Sequence, residues 1–301
     1  MRVLVTGVGG FVGTALARRL AAGGDDVLGT YLGAEPGVAG VALRAADVLD
    51  PAALGRVVAD FEPEAIVHLA GFSHVGQSWK RRDDYHRVNV GGVENLLAAA
   101  SGRRVLLASS AEVYGRVPEE EQPIAEDRPL DPRNPYAETK AAAERRVLAA
   151  GGVAVRMFNI VGPGQAETFA LPSFARQLAA ASDGQACLKV GNLAMRRDFL
   201  HLDDAISGYA TLIRHGEPGG VYNLGSGEAV SLRQALDLLI EIAGVEAEVE
   251  IDPERLRPAD VELTRADAGR LRALGWAPEK SLRDALEDLW ASVAAPRRAS
   301  V

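Results

Sequence analysis

The chain is short of several things that would each open a functional class. It holds one cysteine, Cys187, in 301 residues, which excludes an intrachain disulfide and a cysteine-built zinc site and fits a reducing cytoplasm. Its five histidines show no ligand-like spacing, so no metal is expected. Basic residues are the minority, 33 Lys and Arg against 41 Asp and Glu, for a formal net charge of -8. A chain-wide grip on nucleic acid needs the opposite sign, so any anionic ligand must meet local basic residues. No window approaches the ~20 consecutive apolar residues of a membrane span. The first six residues run straight into a glycine cluster, so neither a span nor a leader peptide is expected. What is plentiful is apolar content, 48% hydrophobic, enough at this length for a sizeable core at the boundary between one domain and two.

That apolar content is arranged in alternation. Short β-branched runs occur at Val3 to Val5, Val27 to Tyr31, Val41 to Leu43, Ile66 to Leu69, Val105 to Ala108 and Val153 to Phe158. Helix-like stretches lie between them, at Val12 to Ala22, Pro51 to Phe61, Tyr85 to Ala100 and Pro135 to Ala150. Uninterrupted apolar strands alternating with amphipathic helices predict a doubly wound parallel sheet of the α/β class. After about Gly164 the rhythm changes to helices with scattered short strands: Leu171 to Ala181, Leu202 to His215, Leu232 to Ala243 and Leu282 to Ala294. This predicts a smaller second region closing over the carboxyl edge of the sheet. Residues 296 to 301 read as a frayed end.

Thr6-Gly7-Val8-Gly9-Gly10-Phe11-Val12-Gly13 follows the first predicted strand and opens the first predicted helix. In that context the glycines have physical work: Gly7 for a tight turn, Gly10 for close approach of backbone N-H groups to a pyrophosphate, Gly13 for helix-strand packing. This is a Rossmann dinucleotide loop. Asp47-Val48, just after the third strand, is placed to meet the adenine; taken alone, Asp47 reads as the cap of the helix that starts at Pro51. The end of the second strand, Gly29-Thr30-Tyr31-Leu32, carries neither the acid that grips a ribose in NAD enzymes nor an arginine. Cofactor choice between NAD(H) and NADP(H) is therefore open, with the missing acid favouring NADP(H).

Tyr136 and Lys140 lie four apart in the predicted helix from Pro135, which puts both on one face. A phenol of pKa about 10 is a poor acid or base at neutral pH, and a neighbouring ammonium favours its phenolate. Ser110 ends the fifth strand, at the edge where ligands of such sheets bind, with Ser109 before it.

On the glycine loop, the strand-end serines and the Tyr-x-x-x-Lys spacing, the chain resembles the extended short-chain dehydrogenase/reductases that modify nucleotide sugars, the NAD-dependent epimerase/dehydratase family. The resemblance runs from Thr6 to about Trp290. It implies that Tyr136 is the general acid or base, that Lys140 lowers its pKa and holds the nicotinamide ribose, and that Ser110 positions the reacting oxygen. It implies further that Gly7, Gly10, Phe11, Val12, Gly13, Asp47, Val48, Leu69 and Ala70 join Tyr136 and Lys140 in holding the dinucleotide. The domains would be 1–165 for the dinucleotide and mainly 166–301 for the nucleotide sugar, with about 199–226 returning to the first. Alanines on the helices Tyr85 to Ala100 and Pro135 to Ala150 permit close packing, and the family's habit at these helices implies a homodimer.

Several stretches resemble the branch that acts on GDP-mannose derivatives, above all the GDP-4-keto-6-deoxy-mannose reductases. They are His68 to Gly76, Phe158 to Gln165, Gly191-Asn192-Leu193, Arg196-Arg197-Asp198-Phe199 and Arg255 to Asp260. Gly71 departs from the alanine more usual in its loop. In this branch Asn159 can donate to a diphosphate, Arg197 and Arg257 offer planar forks for phosphate oxygens, and Arg176 adds to that wall. His74 reads either as a sugar contact or as a plain hydrogen-bonding residue, and His68 as core. Glu112, in Ser110-Ala111-Glu112, stands where related 4,6-dehydratases carry a catalytic glutamate, and reductases can carry an acid there too, so it does not decide. The expected reaction is NAD(P)H-dependent reduction of C4 in a GDP-4-keto-6-deoxy-hexose to a GDP-6-deoxy-hexose of the GDP-D-rhamnose type. GDP-mannose 4,6-dehydratase ranks second and nucleotide-sugar 4-epimerase third, and a non-catalytic NAD(P) sensor is the reading from a different class. Glu119-Glu120-Glu121 reads as a solvated loop.

Overall fold

The computed structural model describes residues 1–181, 184–256 and 261–294, so the expected frayed end at 296–301 lies outside the described residues. The chain alternates strand and helix through its first half: β1 (Arg2–Thr6), α1 (Phe11–Ala22), β2 (Asp26–Tyr31), β3 (Ala42–Ala45), α2 (Pro51–Phe61) and β4 (Ala65–His68). Two short helices, α3 (Val75–Ser78) and α4 (Arg82–His86), precede α5 (Gly92–Ala100), β5 (Arg104–Ser110), α6 (Pro135–Ala149) and β6 (Val153–Met157). Then come β7 (Asn159–Val161), α7 (Ala170–Ala179), β8 (Gln185–Val190), β9 (Arg196–His201), α8 (Leu202–His215) and β10 (Val221–Leu224). The last elements are β11 (Ala229–Ser231), α9 (Leu232–Ala243), β12 (Glu246–Ile251), β13 (Leu263–Thr264), α10 (Gly269–Arg272) and α11 (Leu282–Ala294).

Seven strands form one parallel sheet in the order β3-β2-β1-β4-β5-β6-β10. Its central strands are apolar on both faces because helices cover both: all four residues of β4 are buried, as a doubly covered strand requires. Leu16 and Leu20 of α1 with Tyr209 and Leu212 of α8 fill one side. Leu54 and Val58 of α2, Leu96 of α5 and Val147 of α6 fill the other. A second core gathers Phe174 of α7, Leu236 of α9 and Leu286 of α11 around Leu188 of β8. There β8 pairs in parallel with β12 over six residues, and β9 is flanked by β7, β11 and β13. No helix among the described residues is long and apolar enough to cross a membrane.

Three local differences from the sequence expectation have physical causes. The stretch from Tyr85 to Ala100 is not one regular helix: a π turn, Arg87–Gly91, separates α4 from α5. The run Val153 to Phe158 is divided: β6 ends at Met157, Phe158 N-H still donates to Leu224 O of β10 at 2.9 Å, and Asn159 restarts as β7 because it pairs with β9 instead. The cap of α2 is Asp50, whose side chain accepts from Ala53 N at 3.0 Å, and not Asp47, which accepts from Leu49 N at 2.9 Å. Pro51 at the first helical position fixes the start, and the capping oxygen must come from the residue directly before it.

Candidate active site

The carboxyl ends of β1 and β4 lie side by side, with Thr6 opposite His68. On either side the connections run in opposite directions, to β2 through α1 and to β5 through α5, so a crevice opens between them. The first βα turn fills the floor of this crevice. Gly7 sits at φ +72°, and a Cβ there would come 2.7 Å from Ala70 N; a Cβ on Gly13 would come 2.3 Å from Gly7 O. Side chains at either position would push the turn off the strand or the helix, and a Cβ on Gly10 would crowd Gly7 O at 3.3 Å. The bare turn leaves backbone N-H groups facing the start of α1, whose cap Gly10 brings no side-chain partner of its own. An open anion cradle at a helix N-terminus is what a dinucleotide pyrophosphate fits. Leu69 and Ala70 form the opposite rim, tied down by Leu69 N to Thr6 O at 3.2 Å and Ala70 N to Thr6 Oγ1 at 3.4 Å. Val48 is buried and Asp47 half-buried at the end of β3.

The structure brings Ser110, Tyr136 and Lys140 together. Asn134 caps α6 by accepting from Ala137 N at 2.9 Å, and Pro135 follows as the first helical residue. One turn apart on that helix, Tyr136 and Lys140 both face the end of β5. Tyr136 is 6% exposed, and the Ser110 hydroxyl stands beside its phenol. Lys140 Nζ donates to Ala108 O at 2.8 Å and stands 5.9 Å from the centre of the Tyr136 ring. Burial pushes the Tyr136 pKa up to about 12, against the lowering effect of Ser110 and with Glu112 and Tyr85 adding to the rise. Burial takes Lys140 down to about 8. Desolvation of the phenol dominates this balance, and Lys140, turned to the Ala108 carbonyl, is not among the groups that offset it.

Glu112 Oε2 accepts from Asn134 Nδ2 at 2.8 Å, so the residue that caps the helix of Tyr136 also holds the glutamate. Beneath the site lies a buried ion pair. The Arg156 guanidinium (side chain 5% exposed) forks onto Glu144 of α6 (2%) and donates to Tyr114 Oη at 2.9 Å and Glu126 O at 2.8 Å. Glu144 in turn accepts from Ser109 Oγ at 2.8 Å. One carboxylate therefore ties α6 to the end of β5, directly behind Ser110.

Residues that the sequence reading passed over complete the wall. Asn89, on the π turn and 3% exposed, accepts from Phe72 N at 2.8 Å and donates to Phe72 O at 3.1 Å and Thr139 Oγ1 at 3.0 Å. The loop after β4 is thereby clamped against α6. Gly71 in that loop has φ +154°, and a Cβ there would meet Asn89 Oδ1 at 2.7 Å, which accounts for glycine in place of alanine. Tyr85 Oη donates to His74 O at 2.6 Å, and its ring meets Tyr136 edge-on at 6.4 Å. His68 is buried as expected, hydrogen-bonded through Nδ1 to Thr6 Oγ1 at 2.8 Å. Burial, with the nearby Lys140 charge, holds its pKa down at about 3.

Next to this group opens a cavity of about 540 Å³ lined by His74, Asn159, Arg197, Arg255, Phe169 and Asn192, among others. Phe169 faces the His74 ring at 6.3 Å from across the opening. Arg197 is anchored by donating to Val261 O at 2.6 Å, and Asn159 Nδ2 donates to Asp198 O at 3.1 Å. Arg255, which the sequence reading left unassigned inside its motif, lines the cavity and is paired with Asp252. Arg176 is not brought to this wall, because its guanidinium is drawn to Glu167 at 2.8 Å. Arg257 lies outside the described residues. A larger hollow of about 900 Å³ between α7 and the β8–β12 pair is lined by none of the expected site residues. Among the described residues no group of three or more His, Cys, Asp or Glu side chains is placed to hold a metal ion. The acidic run Glu119 to Glu121 is an exposed single turn, with Glu119 paired to Arg196.

A parallel sheet with a bare glycine turn at its crevice and a Tyr-Lys pair on the helix beside it defines an NAD(P)-dependent short-chain dehydrogenase/reductase of the extended type. The chain belongs to the GDP-mannose 4,6 dehydratase family, which it matches over residues 4–289. It is 38% identical over 298 residues, 95% of this chain and 94% of the relative, to the GDP-6-deoxy-D-mannose reductase of Pseudomonas aeruginosa. Among solved structures it is similar to RMD from Pseudomonas aeruginosa complexed with NADPH, with a TM-score of 0.85, 35% identity and 97% and 98% of the two chains covered. It is similar as well to the UDP-glucose 4-epimerase of Thermus thermophilus in complex with NAD, with a TM-score of 0.88, 29% identity and 98% and 99% covered.

Proposed function

We propose that the protein reduces the C4 ketone of a GDP-4-keto-6-deoxy-hexose to a GDP-6-deoxy-hexose, most simply GDP-D-rhamnose. The observation that carries the reading is the convergence of Ser110, Tyr136 and Lys140 beside the glycine turn, with a cavity that holds Arg197 and Arg255 opening next to them. The cavity suits a nucleoside diphosphate, since Arg197 and Arg255 line it, and Tyr85 links its His74 wall to Tyr136. The full-length likeness to a reductase supports the choice within the family.

In this reading Gly7, Gly10 and Gly13 cradle the pyrophosphate, Leu69 and Ala70 flank the dinucleotide, and Asp47 and Val48 border its adenine. Reduced nicotinamide, when bound, supplies the hydride, and with it both electrons, that the C4 carbon accepts. Ser110 donates a hydrogen bond to the C4 oxygen and stabilises the charge that develops there. Tyr136 gives that oxygen its proton, so the ketone ends as a hydroxyl. Lys140 lies behind the phenol, placed to hold the nicotinamide ribose and to carry a proton back towards Tyr136. Asn159 and Arg197 meet the diphosphate, and Arg257 joins them in this reading. The division into a dinucleotide part at 1–165 and a nucleotide-sugar part at 166–301, the latter returning segment 199–226 to the former, belongs to this proposal, as do a cytoplasmic setting and a homodimer.

A specific observation keeps the 4,6-dehydratase as a second reading. Glu112 is exposed beside Tyr136, close enough for its charge to raise the phenol's pKa, and a dehydratase needs such a base. Purified protein mixed with GDP-4-keto-6-deoxy-mannose and NADPH or NADH separates the two. Stoichiometric oxidation of the nicotinamide with a GDP-deoxyhexose product, identified by mass and NMR, is the expected result. Conversion of GDP-mannose to the 4-keto sugar without added reductant would assign the dehydratase and give Glu112 the role of base.

A further inference from the structure

The wall that carries Arg197 is built from short strands. β9 pairs with β7 and β11 over three residues each and with β13 over two. Strands this short lie at the lower limit of what a sheet uses, so their alignment needs support from side chains. Successive side chains of a strand point to opposite sides. Arg197 and Phe199 line the cavity, and Asp198 between them turns into the protein, where it is 0% exposed. Its Oδ1 accepts from Ser226 N at 2.8 Å and Ser226 Oγ at 2.7 Å, and its Oδ2 from Gly227 N at 2.9 Å and Ala266 N at 3.0 Å. Ser226 and Gly227 form the turn between β10 and β11, and Ala266 follows β13, so one buried carboxylate ties both segments to β9. The approach is close: a Cβ on Gly225 would stand 2.9 Å from Asp198 Oδ2 and 2.6 Å from the Ala266 Cβ. From the outside Arg272 donates to Ser226 O at 2.8 Å.

The same residue reaches the cavity through its main chain. Asp198 O accepts from Asn159 Nδ2 at 3.1 Å, and Arg197 beside it donates to Val261 O at 2.6 Å, just before β13. Both groups therefore depend on the segments that the Asp198 carboxylate gathers. We propose that Asp198 is a positioning residue for the diphosphate of the nucleotide sugar: it holds the turn after β10 and the segment after β13 against β9, and so fixes Arg197 and Asn159 at the cavity wall. The proposal rests on the nucleoside-diphosphate reading of the cavity and is independent of which sugar carbon is reduced.

The test is titration of the whole protein with GDP, by calorimetry, and with NADPH, by nicotinamide fluorescence, together with KM and kcat on GDP-4-keto-6-deoxy-mannose. The variants are Asp198→Asn, Ser226→Ala, Arg197→Ala and the double variant Arg197→Ala/Asp198→Asn. An asparagine keeps one acceptor oxygen and turns an amide N-H towards the donors of the other. Asp198→Asn is expected to weaken GDP and raise KM by about tenfold, with NADPH affinity and kcat within about twofold of wild type. Ser226→Ala removes a single donor, moves GDP the same way by about threefold, and decides alone if Asp198→Asn does not fold. On the Arg197→Ala background the further loss from Asp198→Asn should shrink below about threefold, because a group it positions is already gone. GDP affinity unchanged in Asp198→Asn and Ser226→Ala would overturn the proposal. Equal losses of GDP and NADPH, or a loss that adds in full to Arg197→Ala, would overturn it as well, since either marks general support of the fold. Wild-type protein that binds NADPH but no GDP would overturn the reading of the cavity and this proposal with it, whereas GDP binding without reduction of the keto sugar would overturn the proposed reaction alone.

Discussion

Glu144→Ala is the substitution from which the structure predicts the largest loss away from the reacting groups. The Glu144 carboxylate is the counter-ion of a fully buried guanidinium and the acceptor of Ser109 Oγ. Removing it leaves Arg156 with Tyr114 Oη and Glu126 O, two neutral acceptors, and the nearby Glu126 carboxyl is raised in pKa by its own burial. Breaking one side of a buried pair costs about 3–5 kcal/mol, and the abandoned serine hydroxyl adds about 1 kcal/mol. At this chain length that amounts to a fall in melting temperature of roughly 6–10 °C. Calorimetry of Glu144→Ala and of the double variant Glu144→Leu/Arg156→Met provides the check. Taking out both charges and refilling the volume should cost less than taking out one, because no charge is left buried alone. A single variant that loses under about 1 kcal/mol, or a double variant less stable than the single, would refute the view that the pair is bound by its own mutual compensation.

Three further outcomes follow from the same geometry. Tyr136→Phe should lower turnover by about 10²–10⁴, the usual cost of an acid-base group, with dinucleotide affinity unchanged in the same fluorescence titration; equal turnover would remove Tyr136 from the chemistry. Gly71→Ala combines a φ of +154° with a Cβ 2.7 Å from Asn89 Oδ1 and should cost about 1–3 kcal/mol in a thermal melt while loosening the Phe72 clamp; an unshifted melt would show that the loop relaxes freely. His68 stays neutral in the fold down to a pKa of about 3, against about 6.5 in the open chain. The unfolded state therefore takes up a proton first as pH falls, and stability drops from about pH 6.5 downwards. His68→Asn should flatten this decline by about 2 kcal/mol between pH 7 and 5 in denaturant titrations, and a parallel decline in both proteins would exclude His68 as its source.

The sheet was legible because its signal is local and redundant. Each central strand is covered on both faces, so the stretch Ile66 to Leu69 reads as a strand wherever it is met, within a residue of the observed Ala65–His68, and the helices between are amphipathic at the right length. Caps at Asp50, Asn134 and Ser231 fix their starts within a residue or two. The smaller part was read less fully. Its strand β12, Glu246 to Ile251, alternates acid with aliphatic and pairs only with β8, some sixty residues earlier, which no local pattern announces. The π turn was invisible for a similar reason. Asn89 takes up the irregularity in order to clamp Phe72, seventeen residues away in sequence, and only the Asn-Val-Gly-Gly stretch inside an alanine-rich helix hints at it.

The candidate site divides along the same line. Ser110, Tyr136, Lys140 and the glycines were found because their spacing is set by one helix face and one turn, which a sequence displays directly. Glu144 was missed because it works through a contact that the fold creates. Glu144 reads as one more charged helix residue until Arg156 arrives from the neighbouring strand β6. Charged groups are where sequence reading fails first, since burial and partner decide what a carboxylate does, and both are properties of the folded chain.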